Sequence, residues 1–196
     1  MKIRCIKLLP WIAITLLTRV ALGQVPAFDI TPISSMIKFN VTASVPIAGS
    51  FDKWDASLTF TSAEATSAIL DLQIQAATVN TGSGMKNDKL KSTDFFDVKQ
   101  NPLITFKSTK IIQTSPTTFD VKGIFTIRGV SKPEILQLTL IGKGTGQGTI
   151  TGVMAFDRKD FGMNSGIPFI RIADRVEVDV SLHFKQLSGP RVTYKE

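Results

Sequence analysis

Residues 176–185 read Val-Glu-Val-Asp-Val-Ser-Leu-His-Phe-Lys, with apolar and polar side chains in strict alternation. Successive side chains of a β-strand point to opposite faces, so this run forms a strand with one face buried and one in water. A helix would scatter the same residues around its axis. The pattern recurs upstream. Ile37, Phe39, Val41 and Ala43 alternate with Lys38, Asn40 and Thr42, and Trp54, Ala56, Leu58 and Phe60 alternate with Asp55, Ser57 and Thr59. Ala68, Leu70, Leu72 and Ile74, then Phe119, Val121, Gly123, Phe125 and Ile127, and then Leu136, Leu138 and Leu140 repeat it. Turn residues punctuate these runs at Pro46 and Gly49, Thr114–Pro116, Gly129–Pro133, glycines 142–148 and Asn164–Pro168.

About eight strands with short links define an all-β fold. Such a set buries its apolar faces either in a two-sheet sandwich or in a sheet closed on itself. Closure removes exposed edges, and a barrel of about eight strands is just wide enough to hold one small ligand. The expectation is an eight-stranded antiparallel β-barrel with Phe39, Leu58, Phe60, Leu72, Phe106, Phe125, Phe156, Val178 and Leu182 pointing inward. The small residues Ala43, Ala56, Ala68, Gly123 and Gly152 leave room for a guest, or suit a tapered, filled core.

One interior stretch breaks the alternation: Val79 to Phe106, VNTGSGMKNDKLKSTDFFDVKQNPLITF. Met85, Lys86, Lys89, Leu90 and Lys91 are good helix formers and Ser83 is placed to cap them. A short helix over roughly Gly84 to Asp94 is expected to lie across one barrel mouth beside the Phe95-Phe96 pair.

The first 23 residues have the marks of a secretory signal. Lys2, Arg4 and Lys7 precede a mostly apolar run, Leu8 to Leu17, and Ala21-Leu22-Gly23 supplies small residues for cleavage. Cleavage between Gly23 and Gln24 and an extracytoplasmic location, periplasmic or secreted, are expected. Residues 24–196 then form one domain without cysteine, because Cys5 lies in the signal; an exported domain without disulfides is held by its core. Four of the 23 basic residues leave with the signal and no acidic ones do, so the net charge falls from +7 to +3. The basic residues mostly alternate with apolar ones and form no cluster, which argues against nucleic acid.

Catalytic and metal chemistry find little support. His183 is the only histidine and falls on the polar face of its strand. Without cysteine, it cannot complete a usual zinc set. Gly142, Gly144, Gly146 and Gly148 precede a strand and not a helix, so they read as a hairpin and not a phosphate loop. No catalytic residue, metal or cofactor is assigned. Asp157 to Asp160, Arg171, Asp174 and Arg175, and Asp88, Lys89 and Lys91 form polar clusters. These are surface ion pairs or a rim that meets a lipid headgroup, and the rim expectation names Asp88, Lys91 and Arg158. The tail after Gly189 reads as ragged.

Specific segments resemble the YceI family. They are Ser34 to Val41, Gly49-Ser50-Phe51, Thr81-Gly82, Asn87 to Ser92, Asp94-Phe95-Phe96-Asp97-Val98, Pro102 to Ser108, Phe125 to Pro133, Arg158 to Met163 and Ile172-Ala173-Asp174. Together they span about Phe28 to Gln186. The resemblance implies a lipocalin-like barrel with a helix near one opening and an apolar tunnel for polyprenyl chains, quinone-like lipids or fatty amides. Two departures stand out. Asn87-Asp88-Lys89-Leu90 replaces the Arg-Asp-x-His-Leu frequent on the family's helix, and Ile33 stands where a histidine is common.

The function expected is therefore an exported carrier or scavenger of a long apolar molecule: an isoprenoid, a quinone-like lipid or a fatty acid or amide. Its expected lining is the inward set together with Phe95 and Phe96. Transient contact with a membrane or membrane protein belongs to the same expectation. Two alternatives stay open: a lipid-processing isomerase or cyclase on the same barrel, and a filled-barrel accessory of a membrane redox system.

Overall fold

A computed structural model describes residues 24–166 and 169–196. The expected signal and its cleavage site at Gly23-Gln24 fall at or beyond the edge of the described residues. The strands are β1 (Ala27–Ala43), β2 (Ile47–Phe51), β3 (Trp54–Phe60), β4 (Ala68–Gln75), β5 (Val79–Asn80), β6 (Leu103–Gln113), β7 (Thr118–Ile127), β8 (Val130–Ile141), β9 (Gln147–Asp157) and β10 (Ile172–Ser188). One helix, α1 (Gly84–Lys91), lies between β5 and β6. All the ladders are antiparallel and belong to one sheet of order β3-β4-β6-β7-β8-β9-β10-β1-β2-β5.

Ten strands replace the eight expected, for a local reason. β2 and β3 are two halves of one bent stave, interrupted only at Asp52 and Lys53; β4 and β5 are halves of its neighbour, interrupted by a 3₁₀ turn at Ala76–Thr78. The two bends face each other and bond across the break: Asp52 N–H donates to the Thr78 carbonyl (3.2 Å), Gln75 N–H to the Lys53 carbonyl (3.0 Å) and Lys53 N–H to Thr78 Oγ1 (3.1 Å). Counted as staves, the sheet is an eight-membered ring. Because β1 pairs with β2, β2 with β5 and β4 with β6, it returns on itself at the end that carries α1. At the other end β1 and β3 lie side by side without a ladder, and side chains close the seam, with the Phe28 and Phe60 ring centroids 5.3 Å apart.

The expected inward residues lie in the core or pack against it. Leu182 and Leu72 are buried, as are Phe39, Phe106, Phe125 and Phe156; Leu58, Phe60 and Val178 are half-buried. The small inward glycines do not leave room for a guest. Gly49 lies directly across from Phe39 and Gly152 across from Leu138, and each large side chain covers its glycine. The Phe106 ring covers Gly123 in the same way.

Three local expectations are corrected. The helix ends at Lys91 and not near Asp94, because the chain turns there: Phe96 N–H donates to the Leu90 carbonyl and Asp97 N–H to the Ser92 carbonyl. Ser83 occupies the cap position but its side chain makes no capping bond. Asn87 organises that turn instead, its Oδ1 accepting from Thr81 N–H (2.9 Å) and Thr81 Oγ1 (2.7 Å). The tail after Gly189 is docked, not ragged. Thr193 N–H donates to the Ala63 carbonyl and the Thr193 carbonyl accepts from Ala65 N–H, while Gln113 exchanges two 2.8 Å bonds with the Lys195 backbone. The tail thus spans the gap between the β3–β4 turn and the end of β6.

Candidate functional site

The barrel interior holds two apolar cavities of about 70 Å³ each, one towards either end. Leu72, Phe106 and Leu182 line neither and fill the waist between them. The single tunnel expected from the sequence is therefore two chambers. At the waist the Phe106 ring lies over Gly123, filling the space that the missing side chain leaves.

The tail-end cavity is bounded by Phe28, Leu58, Phe60, Phe119 and Phe184, and is closed by Val192 and Tyr194 from the docked tail. Burial holds the Tyr194 hydroxyl pKa above its ordinary value, and the Lys143 ammonium lies 4.8 Å from its ring centroid. The chain's own C-terminal segment already occupies this mouth.

The helix-end cavity is the better candidate. Phe39, Phe51 and Phe96 form a run of rings along it, with centroids 5.6 and 6.0 Å apart in turn. Phe125 and Phe156 form a second wall, packed with the fully buried Phe161 at centroid distances of 5.0, 5.3 and 5.2 Å. Leu90 of α1 and the buried Phe95 contribute to its roof. Val178 completes the set of expected residues found here. The eleven expected lining residues thus divide: Phe39, Phe95, Phe96, Phe125, Phe156 and Val178 at the helix end, Leu58 and Phe60 at the tail end, and Leu72, Phe106 and Leu182 at the waist.

Sequence reasoning missed several wall residues. Phe51, Ile47 and Met163 line the helix-end cavity. Phe51 follows Gly49-Ser50 in a short alternating run, a signal that was present. Met163 lies in a loop, and no periodicity points to it.

The polar rim is only partly assembled. Asp88 is exposed on α1 and Lys91 half-buried beside it. Arg158 is not a rim residue: it is 6% exposed and four of its five guanidinium N–H groups are bonded inward. It donates to the carbonyls of Ala173 (3.2 Å), Ser165 (2.9 Å) and Met163, and to Asp174 Oδ1 (3.0 Å). Only its stem faces the cavity, so the wall there is apolar. The physical reason is position: Arg158 opens a 3₁₀ turn at the end of β9 and points back under the loop that leads to β10. Lys159 bonds to the Asp174 carboxyl (2.7 Å), and Lys159 and then Arg158 hold it below the usual carboxylate range. Asp94 ties α1 to the same loop. Lys89 and Ser165 both bond to its carboxyl and hold it low.

His183 lies on the outer wall as expected but is half-buried, and its Nδ1 is enclosed without a partner. Its backbone N–H donates to Ser35 Oγ (2.7 Å) in the bulge of β1. Among the described residues the buried polar side chains are Ser108 and Arg158, and Ser108 accepts from Leu70 N–H. No three histidines, cysteines or carboxylates among the described residues gather as metal ligands do. The described interior can exclude water and hold apolar surface.

Residues 28–184 match the model of the YceI-like domain. Curated relatives include a UPF0312 protein of Pseudomonas savastanoi pv. phaseolicola, 27% identical over 140 residues that cover 69% of this chain and 71% of that protein. A UPF0312 protein of Pseudomonas aeruginosa is 30% identical over 120 residues, covering 59% and 62%. Among solved structures, BcnA of Burkholderia cenocepacia superposes with a TM-score of 0.71 at 27% identity, over 79% of this chain and 99% of that one. The Campylobacter jejuni YCEI protein gives 0.60 at 26%, over 72% and 85%. A polyisoprenoid binding domain from Saccharophagus degradans gives 0.66 at 17%, over 83% and 99%, a likeness of fold. With the family model spanning most of the described barrel, the chain belongs to the YceI-like domain family.

Proposed function

We propose that this protein is an exported, non-catalytic binding protein that takes the apolar chain of a lipid, of isoprenoid, quinone-like or fatty-acid type, into the helix-end cavity. The observation that carries the reading is the wall of that cavity: aromatic and aliphatic apart from two cationic residues, the exposed Lys38 and Arg158, whose guanidinium is turned away into four bonds. The fold shared with a polyisoprenoid binding domain supports the same class of ligand, and the signal-like first 23 residues support export.

A chamber of about 70 Å³ is roughly half the size of a 150 Å³ cavity that accepts benzene. A long chain therefore enters only if rings move. Phe96 and Phe95 follow the helix terminus and are the side chains placed to move with α1. Each methylene buried returns roughly 0.8 kcal/mol, so a chain of ten carbons yields about 8 kcal/mol against the cost of displacing the rings. With no buried polar partner available, the headgroup stays at the mouth.

The test is native mass spectrometry of protein taken from its host, extraction of any bound lipid, and calorimetry of the delipidated barrel with a prenol, a quinone and a long-chain fatty acid. Val178→Trp, which fills the helix-end cavity, abolishes uptake; Leu58→Trp, at the other end, leaves it. Binding no better than millimolar for all three ligands overturns the reading. A second reading, a filled barrel acting through its outer surface, is favoured by the waist of Leu72, Phe106 and Leu182. It predicts no lipid on extraction and no binding.

A further inference from the structure

We infer that the helix end of the barrel is a docking surface for the anionic face of a phospholipid bilayer. Three large apolar side chains stand out from this end, where a soluble barrel has no packing use for them: Met85 on α1 is 85% exposed, Phe169 in the loop before β10 is fully exposed and Val45 in the β1–β2 turn is 46% exposed. Phe169 has a φ of 64°, a backbone region that a bulky residue rarely adopts.

The segments that carry them are stitched together. Lys86 Nζ donates to the Pro46 carbonyl (3.1 Å), joining α1 to the β1–β2 turn. Ser44 N–H donates to the Arg171 carbonyl (3.0 Å) and Arg171 N–H to Ser44 Oγ (3.2 Å), joining that turn to the loop of Phe169. Three apolar tips therefore share one end.

The charge around them has one dominant sign. Lys86, Lys91 and Arg171 have no carboxylate partner among the described residues, and Lys89 is neutralised by Asp94. Asp88 is the exposed acid on α1. Apolar tips within an excess of cations complement a bilayer that offers hydrocarbon below an anionic headgroup layer. This is also the end whose cavity is proposed to take an apolar chain. Docking itself is a property of the empty barrel and is measured without any guest.

The experiment is vesicle flotation with phosphatidylglycerol–phosphatidylcholine and with phosphatidylcholine alone, using delipidated protein. Anionic vesicles are expected to bind at least ~10-fold more protein than neutral ones at low salt, and most of that difference disappears at ~0.5 M salt. Met85→Asp with Phe169→Asp is expected to lower partitioning at least ~10-fold with an unchanged thermal midpoint, since both side chains are in water. Brominated lipids report orientation. Met85→Trp and Phe169→Trp each add a quenched signal over the parent, whose residues 24–196 carry Trp54 alone. Leu187→Trp, exposed at the opposite end (66%), adds an unquenched one.

Quenching at 187 but not at 85 and 169, equal binding by the double aspartate variant, or no preference for anionic vesicles each overturns the proposal. So does capture of a soluble protein on this face without vesicle binding. A barrel that docks but takes up no lipid upholds this inference and refutes the binding function; uptake without docking does the reverse.

Discussion

Replacing Gly123 with alanine is a direct test of the covered-glycine interior. Gly123 lies mid-strand in β7, opposite Ser108 of β6 and Glu134 of β8. A methyl there would stand 2.5 Å from Phe106 Cζ, 2.9 Å from Cε1 and 2.7 Å from the Lys107 carbonyl oxygen. Phe106 is 4% exposed, so its ring cannot swing into solvent. Overpacking of this kind costs about 1–3 kcal/mol. Alanine returns about 0.5–1 kcal/mol over glycine in a strand. The net expectation is a loss of about 1–2 kcal/mol, or roughly 2–8 °C in thermal midpoint for a domain of this size. The clash with the ring is separable from the clash with the carbonyl. In a Phe106→Leu background the Cζ and Cε1 contacts are gone, and the cost of Gly123→Ala falls by at least ~1 kcal/mol, a coupling typical of touching residues. Urea unfolding of the four proteins in this cycle, compared at constant m, measures it. A neutral or stabilising Gly123→Ala, or additive effects across the cycle, would show that the interior is loose at the waist and that the two chambers are one.

Arg158→Lys keeps the charge but not the planar fork. It leaves acceptors at Met163, Ser165, Ala173 and Asp174 short of donors, and a loss of about 2–3 kcal/mol in chemical denaturation is expected. Asp94→Asn is expected to destabilise the protein at neutral pH. Because the folded Asp94 carboxyl is held below its unfolded value, the wild-type advantage is complete above the usual carboxylate range. It fades as pH falls through the lowered folded value, and thermal midpoints of the two proteins from pH 7 to pH 2 should converge. The chain's single tyrosine makes the docked tail easy to follow. Ultraviolet titration should find Tyr194 ionising above about 10, and its contribution to stability is present below that value and lost as pH rises through the raised one. Tyr194→Ala should open the tail-end chamber to an apolar dye and cost about 2 kcal/mol, less than a fully buried aromatic because Tyr194 is half-buried.

The alternation of Val176 to Lys185 and of its counterparts determined, by itself, that this chain is built of half-buried strands and which side chains face inward; it fits a sandwich as well as a barrel, and closure is a property of the strand pairing. Alternation is imposed by the pleat, a property of each residue and its immediate neighbours, so one strand's sequence carries it whole. The family segments extended that to a helix at one mouth and a pair of phenylalanines beside it. What only the tertiary structure decided depends on groups far apart in the chain. The bend that splits two staves is visible only when Asp52 and Lys53 meet Thr78, and the docked tail only when Lys195 meets Gln113, 82 residues away. Arg158 read as a surface charge because its neighbours Asp157, Lys159 and Asp160 are charged; its burial follows from four acceptors that a later loop brings over it. Whether a small inward residue makes a void or a seat is likewise set across strands: Phe39 meets Gly49, Leu138 meets Gly152 and Phe106 lies over Gly123. Periodicity says which way a side chain points, and only the partner strand says what it meets there.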